Sequence, residues 1–335
     1  MVEMINKPRL SICIPTFNRL NYLKDGLNAI MQSPSLERIE ICISDNHSTD
    51  GTREYIENLK RQDGVNLRYK SQLKNIGIDG NMLSAIDMAK GDYIYPLGDD
   101  DFLPVGSIEA ILKEIEEKTD LLILNGWHTD AWLMPLRKHL SVNLTCQVIN
   151  KPELGFQLFW DKMPFGSFLA SRHCFSSCYF HKFAGTSHAY AGAVWEALCE
   201  INESRGSCTI KSMRLPTVLL RGAEKTWKKD ADLILLYEIP LWFKLIAEKN
   251  IYNKVAESLC VNYINSQTKF RSLLNFRLNG LLNSNNIIKL TLACNKWQKF
   301  KIRLIAKCPV LILKQLYKIK NILKNIYRGI RNACR

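Results

Sequence analysis

Residues 9–45 read RLSICIPTFNRLNYLKDGLNAIMQSPSLERIEICISD, with an apolar run at each end and a helical pattern between them. The two runs, at 9–15 and 38–45, are rich in isoleucine and short enough to be buried strands. Between them, leucine and isoleucine recur every three or four residues over 20–30, which predicts a helix with one apolar face. This strand–helix–strand order is the unit from which parallel sheets are built.

The same alternation continues as far as residue 126. It predicts strands at 9–15, 38–45, 65–71, 92–98 and 119–126, and helices at 16–33, 48–62, 80–91 and 105–118, the third helix closed by Gly91. We therefore predict an α/β fold with a mostly parallel, doubly wound sheet, in which ligands bind beyond the carboxyl ends of the strands. The pattern beyond residue 126 is mixed, and from about residue 230 it is helical.

Polar clusters follow three of these strands, as PTFNR (15–19), SDNHSTDGT (44–52) and GDDD (98–101). In the second cluster, the Asp45 carboxylate could accept a hydrogen bond from a pyrimidine ring or a ribose hydroxyl. The alternative is a helix N-cap, a role that we assign to Ser48 or Asp50 because they lie nearer to the helix. The glycine-rich loops that commonly hold phosphates are missing from this sequence, so a bound nucleotide would need its phosphates neutralised in another way.

Three consecutive aspartates, Asp99 to Asp101, come directly after the fourth strand. Carboxylates this close raise each other's pKa unless water or a cation separates them. One interpretation is a solvated turn. The other is a divalent cation site, because Mg²⁺ prefers carboxylate oxygens and bridges one or two of them to substrate phosphates. The other polar clusters at strand ends favour the cation site.

The basic charge of the chain is concentrated at one end. The formal net charge of the 335 residues is +14, yet residues 258–335 hold 16 Lys and Arg and no acidic residue. The remaining residues carry 30 basic and 32 acidic side chains and are close to neutral. Such asymmetry indicates a polyanionic partner, either a membrane surface or a nucleic acid.

The basic tail also has a helical pattern. Its apolar residues recur at spacings of four and three, at Ile312, Leu316, Ile319, Leu323, Ile326 and Ile330. Such a helix can lie on anionic lipid, bind nucleic acid or pack on the protein with a solvated basic face. We favour the anionic membrane surface and predict no nucleic-acid partner, because motifs that read or stack on bases are absent.

The cysteines and the amino terminus bear on location. The 11 cysteines form no clustered framework, which favours a reducing compartment. The first residues lack the pattern of a signal peptide, and no apolar run approaches the roughly 20 residues that span a bilayer. We expect a cytoplasmic protein, peripheral on the inner face of the cell membrane.

Three stretches taken together resemble the family 2 glycosyltransferases with the GT-A fold. They are LSICIPTFNR, IEICISDNHSTDGT and KNIGIDGNMLSAIDMAKGDYIYPLGDDD, and the resemblance covers residues 9–126. ISDNHSTDGT and the later Arg221–Gly222 are similar, more narrowly, to bacterial O-antigen enzymes of the abequosyltransferase type. The resemblance implies transfer of a sugar from a nucleotide donor with inversion at the anomeric carbon.

The resemblance also implies roles for individual residues. It places Pro15, Thr16, Asn18 and Arg19 at the nucleotide pocket, Asp45 at the base, Asn75 and Asn81 near the nucleotide, and Asp99 and Asp100 at an Mg²⁺ or Mn²⁺ ion. The sequence departs from the family at Gly98, where an acid is usual, so Asp99 could supply the missing carboxylate. From their charge, Arg221 and Lys225 could neutralise the leaving diphosphate or form an ordinary surface pair.

An inverting transfer needs a general base that deprotonates the acceptor hydroxyl. The family places an acid for this purpose in the second half of the domain, and this sequence has no clear match. The candidates are Glu196, His188 and Asp161. A lone histidine such as His188 is more often structural than catalytic.

The resulting hypothesis is an enzyme of surface polysaccharide synthesis. The donor is a nucleotide sugar and the acceptor a glycan on a polyprenyl diphosphate. Residues 1–126 would bind the donor, 127–260 the acceptor, and 261–335 form the basic helical tail. The alternatives are a non-catalytic nucleotide- or glycan-binding protein on the same scaffold, or a membrane-surface scaffold in which the tail is the main function.

Overall fold

The computed structural model describes residues 7–61, 64–222, 231–280, 282, 287–313 and 315. The described residues form two compact units. One comprises those within 1–225 and 244–256, and the other those within 226–243 and 257–335. The strands all belong to the first unit, while the second is built from helices.

A single mixed sheet forms the centre of the first unit. Its strands are β1 Leu10–Thr16, β2 Ile39–Asp45, β3 Leu67–Ser71, β4 Tyr93–Pro96, β5 Leu121–Thr129, β6 Pro135–Lys138, β7 Val148–Ile149, β8 Phe168–Ser171 and β9 Ile210–Arg221. The order across the sheet is β3-β2-β1-β4-β8-β5-β9-β7, with β6 paired to β5. The first four strands are parallel, as predicted, and β8 then enters antiparallel to both β4 and β5.

The helices alternate with the strands through the first half of the chain. They are α1 Leu20–Met31, α2 Thr52–Leu59, α3 Gly77–Asp87, α4 Ser107–Glu114, α5 Pro152–Phe159, α6 Ser177–Lys182, α7 Ala189–Arg205, α8 Ala231–Leu233, α9 Ile239–Ile246, α10 Asn253–Gln267, α11 Phe270–Leu278, α12 Ile287–Leu290 and α13 Lys296–Lys307. A π-helical turn, Ile234–Glu238, joins α8 to α9.

The packing of α1 shows why the opening stretch folds as predicted. Leu23, Leu27 and Ile30 are fully buried on one face and join the same core as the isoleucines of β1 and β2. Burying a leucine or isoleucine side chain stabilises a fold by about 1.5–3 kcal/mol, so this face holds the helix on the sheet. The third helix is predicted correctly in kind but too far along the chain, because α3 begins at Gly77 and ends at Asp87, and Gly91 lies beyond it.

Gly91 instead takes part in a buried polar cluster around Glu40. The Gly91 N–H donates to Ser11 Oγ at 2.8 Å and to Glu40 Oε1 at 2.9 Å. Glu40, which has no exposed surface, also accepts from Ser11 Oγ, Arg68 Nε and the Lys90 N–H. Burial alone would raise the pKa of Glu40, but these hydrogen bonds hold it below the usual glutamate value. The cluster therefore ties β2 to β1 and to the start of β4.

The second unit has its own apolar core. Leu273, Leu290 and Ile302 are among its fully buried residues. Helix α13 presents two apolar faces, since Ile302 and Ile305 are buried while Trp297, Phe300 and Leu304 are more than half exposed. Within the described part of the chain, no helix is both long and apolar enough to cross a membrane. Most of the predicted tail helix, from Leu316 onward, lies outside the described residues.

Candidate active site

The ends of β1 and β4 meet at the carboxyl edge of the sheet. Thr16, the last residue of β1, donates its Oγ1 hydrogen to Asp99 Oδ2 over 2.9 Å. Pro15 and Thr16 are buried in the strand, so they shape the floor of the site. The structure thus brings together three of the residues predicted for the donor pocket.

Arg19 lies between two of the three aspartates. Its Nη1 is 3.0 Å from Asp99 Oδ1 and 3.0 Å from Asp100 Oδ2. Burial raises the pKa of Asp99 to about 6, with Arg19 opposing the shift and Asp100 adding to it. Both carboxylates therefore converge on one positive charge, the Arg19 guanidinium.

Asp101 is oriented differently from its two neighbours. It is buried, and its Oδ1 accepts the backbone N–H of Arg221 over 3.1 Å. A Cβ atom on Gly98 would lie 2.7 Å from Asp101 Oδ2, and one on Gly166 would lie 2.4 Å from the same atom. Gly166 also has a φ of +79°, a backbone angle that residues other than glycine rarely adopt. The third aspartate thus occupies the space that an acid at position 98 would need.

The carboxylates of Asp99 and Asp100 fit a divalent cation whose remaining ligands come from the substrate and from water. In the part of the chain that the structure describes, no group of three or more His, Cys, Asp or Glu side chains could hold a metal alone. Mg²⁺ does not need such a cage, because it usually combines one or two carboxylates with waters and phosphate oxygens. Asp99 and Asp100 meet that requirement, and both lie at a strand end.

The loops after β1 and β2 are held together by their polar side chains. Asn18, whose φ is +52°, accepts the Thr49 N–H at its Oδ1 and donates its own N–H to Ser48 Oγ. Ser48 is therefore not the N-cap of α2, a position that Gly51 takes. Asp50 instead accepts the N–H groups of Leu20 and Thr52, the first residues of α1 and α2.

Asp45 is fully buried in this loop arrangement. Its Oδ1 accepts the Ser48 N–H and its Oδ2 accepts the Tyr69 hydroxyl, each over 2.9 Å. Burial first, and then the Asp45 carboxylate, raise the pKa of Tyr69 well above its usual value. Asp45 thus has a structural role of its own, and its predicted contact with a base stays a prediction.

Asparagines connect β1, β2 and the start of α3. Asn75 Oδ1 accepts from Asn46 Nδ2 at 2.9 Å and also from the Gly77 N–H. Asn81 is buried, accepts from Ser44 Oγ at 2.7 Å and donates to the Thr16 carbonyl. Asn81 therefore braces the strand that carries Thr16. The predicted proximity of Asn75 and Asn81 to a nucleotide is not tested by these contacts.

Arg221, at the end of β9, reaches the same edge of the sheet. Its guanidinium is 5.1 Å from the Tyr22 ring centroid and forms an ion pair with Asp25 at 3.1 Å. The Arg19 guanidinium lies 5.7 Å from the centroid of the same ring. The Tyr22 ring therefore makes cation–π contacts with two guanidinium groups, one of which also pairs with Asp99 and Asp100. Arg221 Nε is buried without a hydrogen-bond partner among the described residues. Lys225 lies outside the described residues.

The three candidates for the general base differ in their surroundings. Glu196 is held at both oxygens by lysines, with Lys182 Nζ at 2.9 Å and Lys249 Nζ at 3.1 Å. Asp161 is about half exposed and pairs with Lys162. His188 precedes α7, and its Nδ1 lies 3.2 Å from the Thr186 carbonyl. Burial lowers the pKa of His188, so its ring is neutral at neutral pH.

Aromatic rings connect His188 to the loop that contains Gly166. Phe165 follows Asp161 in the loop that ends at Gly166, and its ring centroid is 4.3 Å from that of Tyr190. The Tyr190 ring in turn stacks on His188 at 6.1 Å. Glu196 lies eight residues further along α7, or about 12 Å at 1.5 Å per residue.

Four residues that shape the site were not predicted from the sequence, namely Tyr22, Tyr69, Asp101 in its structural role and Gly166. The spacing offered a signal for Tyr22, which lies three residues after Arg19 and so on the same side of the chain as that arginine. Gly166 gave no local signal, because its partner Asp101 is 65 residues away in the chain.

The family model described as Glycosyl transferase family 2 matches residues 11–171. The segment 11–171 is a family 2 glycosyltransferase domain. This family 2 domain contains β1 to β8, with Thr16, Arg19 and the three aspartates, whereas Arg221 and His188 lie after it. Metal dependence is typical of the family.

Two curated relatives each match between a third and two fifths of this chain. The abequosyltransferase of Salmonella typhimurium is 36% identical over 129 residues, which are 38% of this chain and 39% of that protein. The GalNAc(5)-diNAcBac-PP-undecaprenol beta-1,3-glucosyltransferase of Campylobacter jejuni is 32% identical over 110 residues, 33% of this chain and 35% of that protein. The matches thus span little more than a third of each relative.

A solved structure extends the likeness beyond the family 2 domain. The S. aureus TarS fragment 1–349, in complex with UDP-GlcNAc, superposes with a TM-score of 0.62 over 93% of this chain and 92% of that one. The two sequences are only 13% identical, so the likeness concerns the fold. It confirms the predicted GT-A fold.

Proposed function

We propose that this chain is an inverting glycosyltransferase that uses a nucleotide-sugar donor. The observation that carries the proposal is the convergence of Asp99 and Asp100 on Arg19 at the carboxyl edge of the sheet. In α/β sheets this edge is where ligands bind. The match to the family 2 glycosyltransferase model supports sugar transfer, and the Salmonella and Campylobacter relatives are named as sugar transferases.

In this proposal Asp99 and Asp100 would hold a divalent cation, Mg²⁺ or Mn²⁺, which would neutralise the donor diphosphate. Arg19 contacts both carboxylates, and its guanidinium is also suited to binding a phosphate oxygen of the donor. Arg221 contributes a second buried guanidinium with an unsatisfied Nε. Thr16 keeps Asp99 in place through its hydroxyl.

We propose His188 as the general base, ahead of Asp161 and Glu196. Its neutral imidazole is the form that accepts a proton, and it precedes α7 in contact with Tyr190, which meets the loop of Gly166. In the proposed step the acceptor hydroxyl attacks the anomeric carbon, the bond to the nucleoside diphosphate breaks, and His188 takes the hydroxyl proton. Glu196 already neutralises two lysines.

Replacing His188 separates base catalysis from donor binding. We expect His188→Gln to lower the rate of transfer about 10²- to 10⁴-fold while the affinity for the nucleotide stays unchanged, because only the proton acceptor is lost. Steady-state kinetics and nucleotide binding measure the two quantities. His181→Gln, an exposed histidine on α6, is the matched control. If the His188→Gln protein kept full activity, His188 would not be the general base, and Asp161 would become the candidate.

A panel of nucleoside diphosphates tests the donor. We expect one of CDP, UDP, GDP and dTDP, with Mn²⁺, to raise the melting temperature, since a ligand at 100 times its Kd stabilises the folded state by about 2.7 kcal/mol. The corresponding nucleotide sugars should then be hydrolysed slowly, and only with the cation. Binding of a nucleotide without any turnover of its sugar derivatives would favour a non-catalytic binding protein.

For the acceptor we propose a glycan linked to polyprenyl diphosphate, in the synthesis of O-antigen, lipopolysaccharide or capsule. The name of the Campylobacter relative includes such a carrier, and the Salmonella relative transfers abequose. For such a substrate we propose that the enzyme works as a peripheral protein at the inner face of the cell membrane.

Helix α13 supports membrane contact by the basic tail. Its exposed Trp297 and Phe300 rings stack at 5.4 Å, and Leu304 continues the same face. Exposed Lys296, Arg303 and Lys307 lie on the same helix. An apolar stripe flanked by basic residues is the pattern of helices that lie in the interface of anionic membranes.

A further inference from the structure

The hairpin formed by β5 and β6 exposes an unusual set of apolar side chains. At and after its tip, Trp132 is 86% exposed, Leu136 68% and Met134 62%. An exposed tryptophan is uncommon on a surface that contacts only water, because it leaves a large apolar area hydrated. The hairpin belongs to the first unit and is separate in sequence from the basic tail.

The tip of the hairpin has a defined conformation. Asp130 Oδ1 accepts the N–H groups of both Trp132 and Met134 over 2.9 Å, and the Asp130 N–H bonds back to the Met134 carbonyl. Leu133 adopts a φ of +63° to close this loop. The apolar side chains are therefore held outward by the backbone, so their exposure follows from the fold.

The charge around these side chains points to an anionic lipid surface. No acidic residue occurs between Asp130 and Glu153, whereas Arg137, Lys138 and Lys151 do. Arg137 and Lys138 lie on β6 directly behind the tip, and Lys138 is 5.7 Å from the Trp127 ring. Tryptophan beside basic residues is typical of the boundary between acyl chains and headgroups.

The hairpin also starts beside the candidate active site. Thr129, the last residue of β5, pairs with Arg221, whose N–H is bonded to Asp101. A membrane that receives the hairpin tip would therefore lie near the edge of the sheet where sugar transfer is proposed. That position suits an acceptor whose reactive sugar is tethered to a lipid.

We propose that the β5–β6 hairpin, Leu121–Lys138, is a membrane-contact surface of the catalytic unit, distinct from α13. Trp132, Met134 and Leu136 enter the interface, while Arg137 and Lys138 meet anionic headgroups. The proposal deepens the proposed function, on which it rests for the lipid-linked acceptor. The contact itself depends only on the exposed hairpin and its charge.

Vesicle binding by the full-length protein tests this surface. The comparison uses vesicles of phosphatidylglycerol with phosphatidylethanolamine, and vesicles of phosphatidylcholine alone. We expect Trp132→Ser combined with Leu136→Ser to lower the partition coefficient on the anionic vesicles about tenfold, because two interfacial side chains are lost. Arg137→Gln with Lys138→Gln should remove the preference for anionic over neutral vesicles. Cosedimentation measures both.

The controls separate the hairpin from the tail and from the activity. Leu73→Ser with Val105→Ser removes two other exposed aliphatic side chains, 97% and 82% exposed, and should change binding less than about twofold. The double variant Trp297→Ser with Phe300→Ser measures how much α13 contributes to vesicle binding. Wild-type binding by the hairpin variant would overturn the proposal, as would a hairpin variant that loses only self-association in sedimentation. Nucleotide-sugar hydrolysis, measured on the same samples without vesicles, tests the proposed function separately.

Discussion

Asp100→Asn is expected to lower nucleotide-sugar turnover about a thousandfold, because it removes one of the two carboxylates proposed to hold the divalent cation. The amide keeps the shape of the side chain but no longer carries the charge that offsets a cation. Asp100 is less buried than Asp99 or Asp101, so the melting temperature should change little. Turnover is measured as a function of Mn²⁺ concentration, and we expect the half-saturating concentration to rise.

Asp87→Asn is the matched control for this experiment. Asp87 is an exposed carboxylate at the end of α3, and its loss should leave both turnover and Mn²⁺ dependence unchanged. A folded Asp100→Asn protein with the Mn²⁺ dependence of the wild type would contradict the cation site. Asp101→Asn would then show whether the third aspartate carries the activity instead.

Glu40→Ala should produce the largest loss of stability in the first unit. The substitution leaves the Ser11 hydroxyl and the Lys90 N–H without their buried acceptor, and the Gly91 N–H keeps only Ser11 Oγ. Removing one member of a buried ionic cluster costs about 3–5 kcal/mol. For a domain of this size we expect the melting temperature to fall by roughly 10 °C, as measured by calorimetry.

The same carboxylate predicts how stability depends on pH. The pKa of Glu40 is lowered in the folded protein, so its contribution is complete above the unfolded value of 4.5 and is lost as the pH falls through the lower folded value. The difference in melting temperature between the wild type and Glu40→Gln should therefore shrink on acidification below pH 4.5. Glu37→Ala, an exposed neighbour, should leave stability within about 0.5 kcal/mol. An unchanged difference at low pH would rule out the ionised form of Glu40.

The parallel half of the sheet could be predicted because its pattern is local. Strands β1, β2 and β4 are short apolar runs, β3 is a more polar one, and each intervening helix repeats its apolar residues within a few turns. The antiparallel entry of β8 between β4 and β5 could not be predicted in this way. It depends on pairing Ala170 with both Ile94 and Leu121, contacts that join residues about 50 or more positions apart.

The part of the candidate site that lies at strand ends could also be predicted from the sequence. Thr16, Arg19, Asp99 and Asp100 sit at strand ends, and strand ends can be located from sequence. Charge and side-chain type do not reveal which oxygen a lysine will reach. The ion pairs that hold Glu196 involve Lys182 from α6 and Lys249 from a loop that follows α9. Only the packing of these elements distinguishes a candidate base from a structural carboxylate.

The close packing of Asp101 between Gly98 and Gly166 has a consequence for the design of hybrid enzymes. If the segment that contains residue 166 were exchanged for that of a relative, any side chain it brought to that position would collide with Asp101. Functional hybrids should therefore keep Asp101 and Gly166 together, so these two positions are exchangeable only as a matched pair.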